Sequence, residues 1–166
     1  MAYDLLIKNG RVVDGSGSRA FHGDVGIRNA RIAEIGRLRG TAARTVDAGG
    51  LVVAPGFIDN HCHYDAQVTW DPLCSYSCYH GATTVIIGNC SLALAPVRRG
   101  AEERLAEFLS QVEAIPMATL RTVDMRWETI PEYMAVLDRR LGVNVGNLIG
   151  HSAVRQIGRA SCRERV

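Results

Sequence analysis

The first 50 residues alternate between short apolar runs and turn-forming residues, which is the pattern of short β-strands. Residues 3–8 and 11–13 flank the dipeptide Asn9-Gly10, a strong local signal for a β-hairpin. Residues 24–28 and 31–36 flank Asn29-Ala30 in the same way. Because these strands are too few to bury a core of their own, we expect residues 1–54 to form part of a small antiparallel β-sandwich that other strands complete.

The pattern changes at Leu51, where nearly continuous apolar segments replace the alternation. Such segments are typical of strands that are buried on both faces of a parallel sheet, and they predict strands over residues 56–60, 82–88 and 143–150. A short helix is expected over residues 72–80, with Gly81 as its stop.

Two amphipathic helices are predicted between the second and third of these strands. The first covers residues 102–115, and its apolar stripe consists of Leu105, Phe108, Leu109 and Val112. The second begins at Thr129, because Thr129 and Glu132 have the spacing of a capping box and a proline lies in the first turn. Gly142 is its predicted end, and its predicted buried face consists of Tyr133, Met134, Leu137 and Leu141.

The order of these elements, strands followed by β-α-β-α-β, predicts an α/β protein with a parallel sheet. The outline fits the first three strands of a (β/α)₈ barrel over residues 55–156, preceded by the partial sandwich of residues 1–54. A complete barrel takes about 250 residues. We therefore expect a truncated barrel, whose chemistry lies at the carboxyl ends of the strands.

Composition and charge narrow the possible partners. The 166 residues carry a formal net charge of +2, but residues 157–166 alone hold three arginines and one glutamate, so the rest of the chain is neutral. We therefore expect no nucleic-acid partner and no anionic membrane surface as a partner. The start of the chain lacks the pattern of a secretory signal, and no apolar stretch is long enough to cross a membrane, so we expect a cytoplasmic protein.

The last ten residues are unusual in another respect. Residues 157–166 read Ile-Gly-Arg-Ala-Ser-Cys-Arg-Glu-Arg-Val, which resembles the translation of a common sequencing adaptor. We expect this segment to be non-native and exclude it from the prediction of the fold.

The five cysteines are an odd number, which argues against a disulfide framework in a chain of this kind. Each is then a small core residue, a metal ligand or a catalytic group, and core packing is favoured for any one of them. Cys74 and Cys78 lie four residues apart on a predicted helix, where core packing is favoured.

A candidate metal site follows the first buried strand. Residues i and i+2 of an extended segment point to the same side, so His61 and His63 are placed to reach one metal ion. Imidazole nitrogen suits zinc, which also accepts thiolate. Cys62, between the two histidines, points the other way and is predicted to be a packed core thiol.

Several segments together resemble a known family. Residues 55–63 (Pro-Gly-Phe-Ile-Asp-Asn-His-Cys-His) resemble the strand-1 motif PGFID-x-H-x-H of the amidohydrolase superfamily, and residues 5–14 are similar to the opening of its N-terminal sandwich. Residues 81–90 resemble the GxTTV…GNC segment of its N-acyl-D-amino-acid deacylase branch, also called the D-aminoacylase branch. The resemblance extends over about residues 1–156, with further matching residues at 95–97, 127–133 and 144–155.

The resemblance implies a metal site. Cys90 corresponds to the strand-2 cysteine that is a zinc ligand in this branch, and His61 and His63 line the same site, where a second, weaker metal can bind beside the tightly bound zinc. The other histidine ligands are implied on strands 4 and 5, and the catalytic aspartate that acts as general base on strand 8. Those strands lie outside the 166 residues.

Three further residues are candidates for the surroundings of the metal or for substrate contact. His151 corresponds to the histidine of a GHxxxR segment, where contact with the substrate and a structural role at the barrel mouth both stay open. Asp65 is a candidate partner that fixes a histidine tautomer, and Asn89 is either a turn former or a polar site residue. Ser91 stands where the family usually has glycine, so the shape of the loop after Cys90 is an open question.

The implied function is zinc-dependent hydrolysis of the amide bond of a small N-acyl-D-amino acid. One alternative is an amidohydrolase acting on cyclic amides, resembling a hydantoinase or dihydroorotase. Those enzymes usually use a carboxylated lysine as the bridging ligand, and the predicted strands contain only Lys8. The other alternative is a non-catalytic binding protein on the same scaffold, which gives no reason for keeping His61, His63 and Cys90 together. The fragment by itself is expected to be inactive.

Overall fold

The computed structural model describes residues 2–138 and 141–163, with side chains described up to Gly158. The chain divides into two compact units between Pro55 and Gly56. None of the described helices is both long and apolar enough to cross a membrane.

The first unit is built on one five-stranded mixed sheet. Its strands are β1 (Tyr3–Val12), β2 (Phe21–Arg28), β3 (Arg31–Gly36), β4 (Ala42–Asp47) and β5 (Val52–Val53). β2 pairs antiparallel with β1 and β3, whereas β4 and β5 both run parallel to β1 along its other edge. The antiparallel prediction is therefore right for three strands and wrong for β4 and β5. The described residues of this unit form a single sheet, so the sandwich stays a prediction.

The hairpin predicted at Asn9-Gly10 is wrong, because β1 runs through both residues as one strand. The register against β2 shifts between Ile7 and Gly10, and Asn9 has a φ of 62°, so the dipeptide forms a β-bulge. The Asp24 carboxylate accepts hydrogen bonds from the backbone N–H groups of Asn9 at 2.9 Å and Leu38 at 3.0 Å. A side chain from β2 therefore satisfies the backbone group that the bulge leaves unpaired.

The second predicted hairpin is confirmed. β2 and β3 pair antiparallel around Asn29 and Ala30, whose φ angles are 52° and 56°. Two consecutive residues with positive φ are the geometry of the tight turns whose twist matches that of the flanking strands.

The second unit contains a three-stranded parallel sheet in the order β6-β7-β8. Its elements are β6 (Phe57–Asp59), α1 (Ser75–Tyr79), β7 (Ala82–Ile87), α2 (Glu102–Glu113), α3 (Met117–Leu120), α4 (Ile130–Leu137), β8 (Asn144–Asn147) and α5 (His151–Arg163), with 3₁₀ turns at Gln67–Thr69 and Asn89–Ser91. This layout agrees with the predicted α/β class. Closure into a barrel stays a prediction.

The core of the second unit lies on one face of this sheet. Val85 and Ile87 of β7 are fully buried and pack in one cluster with Leu105 of α2. Tyr133 of α4 is also fully buried, and its ring lies 4.9 Å from that of Trp127. Burying these large aromatic side chains is what holds α4 and the preceding loop against the sheet.

Several local predictions need correction. β6 is not buried on both faces, because Phe57 and Ile58 are 69% and 66% exposed. Among the described residues, β6 pairs with β7 alone and is an edge strand, so its side chains lack covering layers. Val112 is 53% exposed and does not belong to the buried stripe of α2, and α3 was not predicted.

The ends of two predicted helices also differ from the structure. The helix predicted over residues 72–80 is reduced to Ser75–Tyr79, although Gly81 follows it with a φ of 87° as a stop. The capping box of Thr129 and Glu132 is confirmed, but α4 ends at Leu137 rather than at Gly142. Residues 139–140 of the predicted helix, and 164–166 of the predicted non-native segment, lie outside the described residues.

Candidate metal centre

Two segments that follow neighbouring parallel strands meet at the carboxyl end of the sheet. His61 and His63 follow β6, and Cys90 lies in the turn after β7. One ligand atom from each of the three residues lies within 4.8 Å of the other two, and among the described residues they are the one group of this kind. Nε2 of His61 is 3.1 Å from Sγ of Cys90, and the two imidazole rings are 5.4 Å apart.

The side chains alternate along His61-Cys62-His63, although β6 has already ended at Asp59. Cys62 points into the core, as predicted, and its thiol donates to the backbone carbonyl of Ile86 at 3.1 Å. Burial raises the pKa of Cys62 to about 12, so this thiol stays protonated at neutral pH. The two neighbouring imidazoles are left on the side of Cys90.

A hydrogen-bonded network fixes the start of the histidine segment. The Asp59 carboxylate accepts from the Ser77 hydroxyl at 2.5 Å and from the backbone N–H of His61 at 3.4 Å. The hydroxyls of Ser77 and Tyr64 lie 3.1 Å apart. Residues of α1 and of the β6 strand end therefore hold the backbone beside His61 in place.

Asn89 ties the two ligand-bearing segments together. Its side-chain amide is buried and donates to the carbonyl of Ile86 at 2.7 Å and to that of Cys62 at 3.3 Å. Both roles predicted for Asn89, turn former and polar site residue, stay predictions; the structure shows that its side chain connects two backbone segments. The bridge brings the turn that carries Cys90 against the histidine segment.

The turn around Cys90 has an unusual backbone. Gly88, Cys90 and Ser91 have φ angles of 79°, 53° and 69°, all in the left-handed region. A Cβ on Gly88 would lie 2.2 Å from the backbone oxygen of Leu148, so only glycine fits there. Ser91 adopts the left-handed conformation that glycine adopts more easily, which resolves the loop shape left open by the sequence.

Asp65 does not make the contact expected of it. Its side chain is 3% exposed, and neither carboxylate oxygen has a hydrogen-bond partner of ordinary geometry among the described residues. Burial raises its pKa to about 7, an effect that nearby backbone amides partly offset and the negative charge of Glu113 reinforces. The backbone of Asp65 is held in place by a hydrogen bond, which the Tyr133 hydroxyl donates to the Asp65 carbonyl at 2.7 Å.

The carboxylate that does face a histidine is that of Glu113. Its Oε1 lies 3.5 Å from Nδ1 of His63. The sequence places Glu113 in a helix but not beside the site, because that contact depends on how α2 packs. One signal was available: an acidic residue at a helix C-terminus, where the helix dipole disfavours negative charge.

His151 is not part of the group formed by His61, His63 and Cys90. It is exposed and opens α5, and both of its candidate roles stay predictions.

The donor set fits zinc. Two imidazoles and a thiolate are typical zinc ligands, and neighbouring ligand atoms around a tetrahedral zinc lie about 3.3–3.6 Å apart. The distances here, from 3.1 Å to at most 4.8 Å, reach that geometry through shifts of about 1 Å. His61 and Cys90 are exposed, so the site is open to solvent, unlike a closed structural zinc site.

Comparison with known proteins places this geometry in a family. The model of the amidohydrolase family matches residues 44–160. An uncharacterized protein of Mycobacterium bovis is 40% identical over 163 residues, covering 93% of this chain and 26% of that protein. D-aminoacylase of Alcaligenes xylosoxydans xylosoxydans is 37% identical over 159 residues, covering 92% of this chain and 30% of the enzyme.

A solved structure shows the same relationship in three dimensions. The N-acyl-D-glutamate deacylase of Bordetella bronchiseptica, complexed with zinc and a phosphonate inhibitor that mimics the tetrahedral intermediate, superposes with a TM-score of 0.76 at 33% identity. The match covers 93% of this chain and 31% of that enzyme. The chain thus spans between 26% and 31% of the length of these relatives. By its sequence match and its fold, this chain belongs to the amidohydrolase family.

Proposed function

We propose that this chain supplies the first ligands of the zinc centre of a hydrolase that cleaves the amide bond of N-acyl-D-amino acids. The observation that carries the proposal is the convergence of His61, His63 and Cys90 within 4.8 Å at the carboxyl end of a parallel sheet. In α/β proteins this is the edge where substrates bind.

The proposed substrate class follows from the relatives. D-aminoacylase and N-acyl-D-glutamate deacylase are named for N-acyl-D-amino acids, and the latter binds zinc with a tetrahedral-intermediate mimic. Because the chain spans less than a third of their length, the activity is proposed for a protein in which further strands follow these three.

Each residue of the site has a distinct proposed task. Zinc, when bound, supplies a Lewis acid that activates water and polarises the amide carbonyl. Cys90 offers a thiolate and His61 a neutral imidazole from an exposed position, where a substrate can reach them. Cys62 stays a neutral thiol in the core. We propose one tightly held zinc and a second, weaker metal that uses the histidine pair.

The two alternatives gain no support from these residues. A cyclic-amide hydrolase with a carboxylated lysine needs a lysine at the site, but Lys8, the only lysine of the chain, lies in β1 of the first unit. A purely structural or binding role does not require an arrangement of two imidazoles and one thiolate that is open to solvent.

Zinc binding by the purified 166-residue chain tests the site. Cys90→Ala is expected to weaken zinc binding by about 100-fold, because it removes the one charged ligand of the set. The matched control is Cys78→Ala, which removes a half-buried thiol of α1 and leaves zinc binding unchanged. Zinc affinity is measured by competition with a chromophoric chelator, and cobalt substitution shows a thiolate charge-transfer band that only Cys90→Ala removes. Equal zinc affinity of the Cys90→Ala variant and the wild type contradicts the site.

The substrate proposal has a separate test. A protein that contains this chain followed by the remaining barrel strands is expected to release free amino acid from N-acetyl-D-amino acids and not from the L-enantiomers. The 166-residue chain by itself is expected to be inactive, because the strands implied to carry the other ligands and the general base lie outside it. Zinc-dependent release of D-amino acid by the 166-residue chain would falsify that expectation.

A further inference from the structure

Glu113 ends α2 and His63 follows β6, and their side chains meet beside the candidate metal ligands. Nδ1 of His63 lies 3.5 Å from Oε1 of Glu113, and the two side chains are only 27% and 22% exposed. Nδ1 is buried and has no hydrogen-bond partner of ordinary geometry among the described residues. Glu113 is therefore the acceptor that stands next to an otherwise unpaired donor position.

The position of Glu113 is not explained by the stability of its own helix. It is the last residue of α2, and the helix has no basic residue in its last turn. The partial negative charge at a helix C-terminus disfavours a carboxylate there. A contact outside the helix is needed to account for an acidic side chain that is largely withdrawn from solvent.

The tautomer of His63 explains why an acidic side chain stands at position 113. A histidine ligand binds metal through one neutral ring nitrogen, and the hydrogen bond made by the other nitrogen decides which one is free. A proton on Nδ1 that is donated to Glu113 leaves the lone pair of Nε2 for the metal. Of the other two acids near this segment, Asp65 forms no hydrogen bond with either histidine, and Asp59 accepts from the backbone N–H of His61 rather than from an imidazole.

We propose that Glu113 is a positioning residue of the metal centre, whose carboxylate accepts a hydrogen bond from Nδ1–H of His63 and holds Nε2 toward the metal. The inference rests on the proposed zinc centre and adds a fourth residue, from α2, to it. The present distance of 3.5 Å closes to a normal hydrogen bond through a shift of about half an ångström.

The experiment compares four forms of the 166-residue chain: wild type, Glu113→Ala, Glu113→Gln and the control Glu107→Ala. Glu107 is exposed on the same helix, so it reports the effect of removing an acidic residue from α2 away from the site. Zinc affinity is measured by chelator competition, and the tautomer of His63 by ¹⁵N NMR of the imidazole nitrogens. Circular dichroism checks that each variant is folded.

Glu113→Ala is expected to weaken zinc binding about 10- to 100-fold and to remove the preference of His63 for the Nδ1–H tautomer. Glu113→Gln, which keeps an acceptor oxygen and the side-chain shape, is expected to retain that tautomer and to lose less affinity. Glu107→Ala is expected to match the wild type in both readouts.

Two outcomes overturn the inference, and they are distinguishable. If zinc affinity and the tautomer of His63 are unchanged in Glu113→Ala and Glu113→Gln, while Cys90→Ala still loses zinc, the metal centre stands and the role of Glu113 is rejected. If Cys90→Ala also binds zinc like the wild type, the metal centre itself is rejected, and the inference with it.

Discussion

Asp24 in the first unit and Asp65 in the second are both buried acidic side chains, 8% and 3% exposed, but their surroundings differ. Asp24 accepts hydrogen bonds from two backbone N–H groups. Neither oxygen of Asp65 has a hydrogen-bond partner of ordinary geometry among the described residues. Both positions bury a carboxylate, but only that of Asp24 accepts hydrogen bonds of ordinary geometry.

The difference extends beyond these two residues. Within the described part of the chain, the buried side-chain nitrogen and oxygen atoms without hydrogen-bond partners belong to His63, Asp65 and Asn147, all in the second unit. They lie at or just after the carboxyl ends of β6 and β8. Because an unpaired buried polar group costs about 1–3 kcal/mol, such groups are typical of positions that stability alone does not explain.

The largest expected effect concerns the turn that presents Cys90. Gly88→Ala is expected to destabilise the second unit by about 4 kcal/mol. The alanine would have to adopt a left-handed backbone conformation, and its Cβ would lie 2.2 Å from the carbonyl oxygen of Leu148. The matched variant in the first unit is Gly17→Ala. Gly17 has a φ of 84°, and no atom lies within 4 Å of the place where the alanine Cβ would stand, so a destabilisation of about 1 kcal/mol is expected.

Urea unfolding followed by tryptophan fluorescence measures the first of these effects. Trp70 and Trp127 are the only tryptophans and both lie in the second unit, so their fluorescence reports that unit. Circular dichroism follows the first unit as well. If the two alanine variants lose the same free energy of unfolding, the left-handed backbone conformation, and not the contact with Leu148, accounts for the cost of Gly88→Ala.

The second prediction exchanges each buried acid for its amide. Asp24→Asn is expected to destabilise the first unit by about 2 kcal/mol, because an amide nitrogen then faces a backbone N–H. Reduced hydrogen-exchange protection of the Asn9 and Leu38 amides is the direct measurement. Unchanged protection at both amides would contradict the role of Asp24 at the bulge.

Asp65→Asn is expected to stabilise the second unit, unlike Asp24→Asn in the first, and the size of this stabilisation depends on pH. The pKa of Asp65 is raised from 3.8 to about 7 in the folded chain, so between these values the unfolded chain binds fewer protons than the folded one. Stability therefore falls as pH rises through this interval and levels off above it. Between about pH 4 and about pH 8, the metal-free Asp65→Asn variant should gain about 3 kcal/mol relative to the wild type.

Urea unfolding at several pH values in the presence of a chelator measures this difference for the second unit. Parallel stability curves for Asp65→Asn and the wild type would show that Asp65 is ionised at an ordinary pH and that its environment is less apolar than its burial implies.

The smallest effect is expected at the residue where this chain departs from the family pattern. Ser91→Gly is expected to stabilise the second unit by about 0.5–1 kcal/mol, because Ser91 has a φ of 69° that glycine adopts without strain. Asn29→Gly is the control in the first unit, since asparagine with a φ of 52° already tolerates this region. Thermal unfolding measures the change in stability of each variant. A loss of stability in Ser91→Gly would mean that the Ser91 hydroxyl has a role of its own.

Much of the second unit could be predicted because its signals are local. Continuous apolar runs mark β7, the spacing of Thr129 and Glu132 marks the start of α4, and alternation places Cys62 opposite the two histidines. The first unit was less predictable. Asn9-Gly10 is a strong local turn signal, yet pairing with β2 and the Asp24 carboxylate turn it into a bulge inside one strand.

The sequence by itself therefore determined which candidate ligands meet, because His61, His63 and Cys90 follow apolar strands whose parallel pairing brings their ends to one edge of the sheet. Only the tertiary structure decided what surrounds them. Glu113 stands beside His63, and the Asp65 carboxylate has no hydrogen-bond partner of ordinary geometry in the described part of the chain, because α2 and α4 pack on the same core from distant parts of the sequence. The spacing of residues along a chain does not encode which faces meet, and those meetings set the electrostatics of the site.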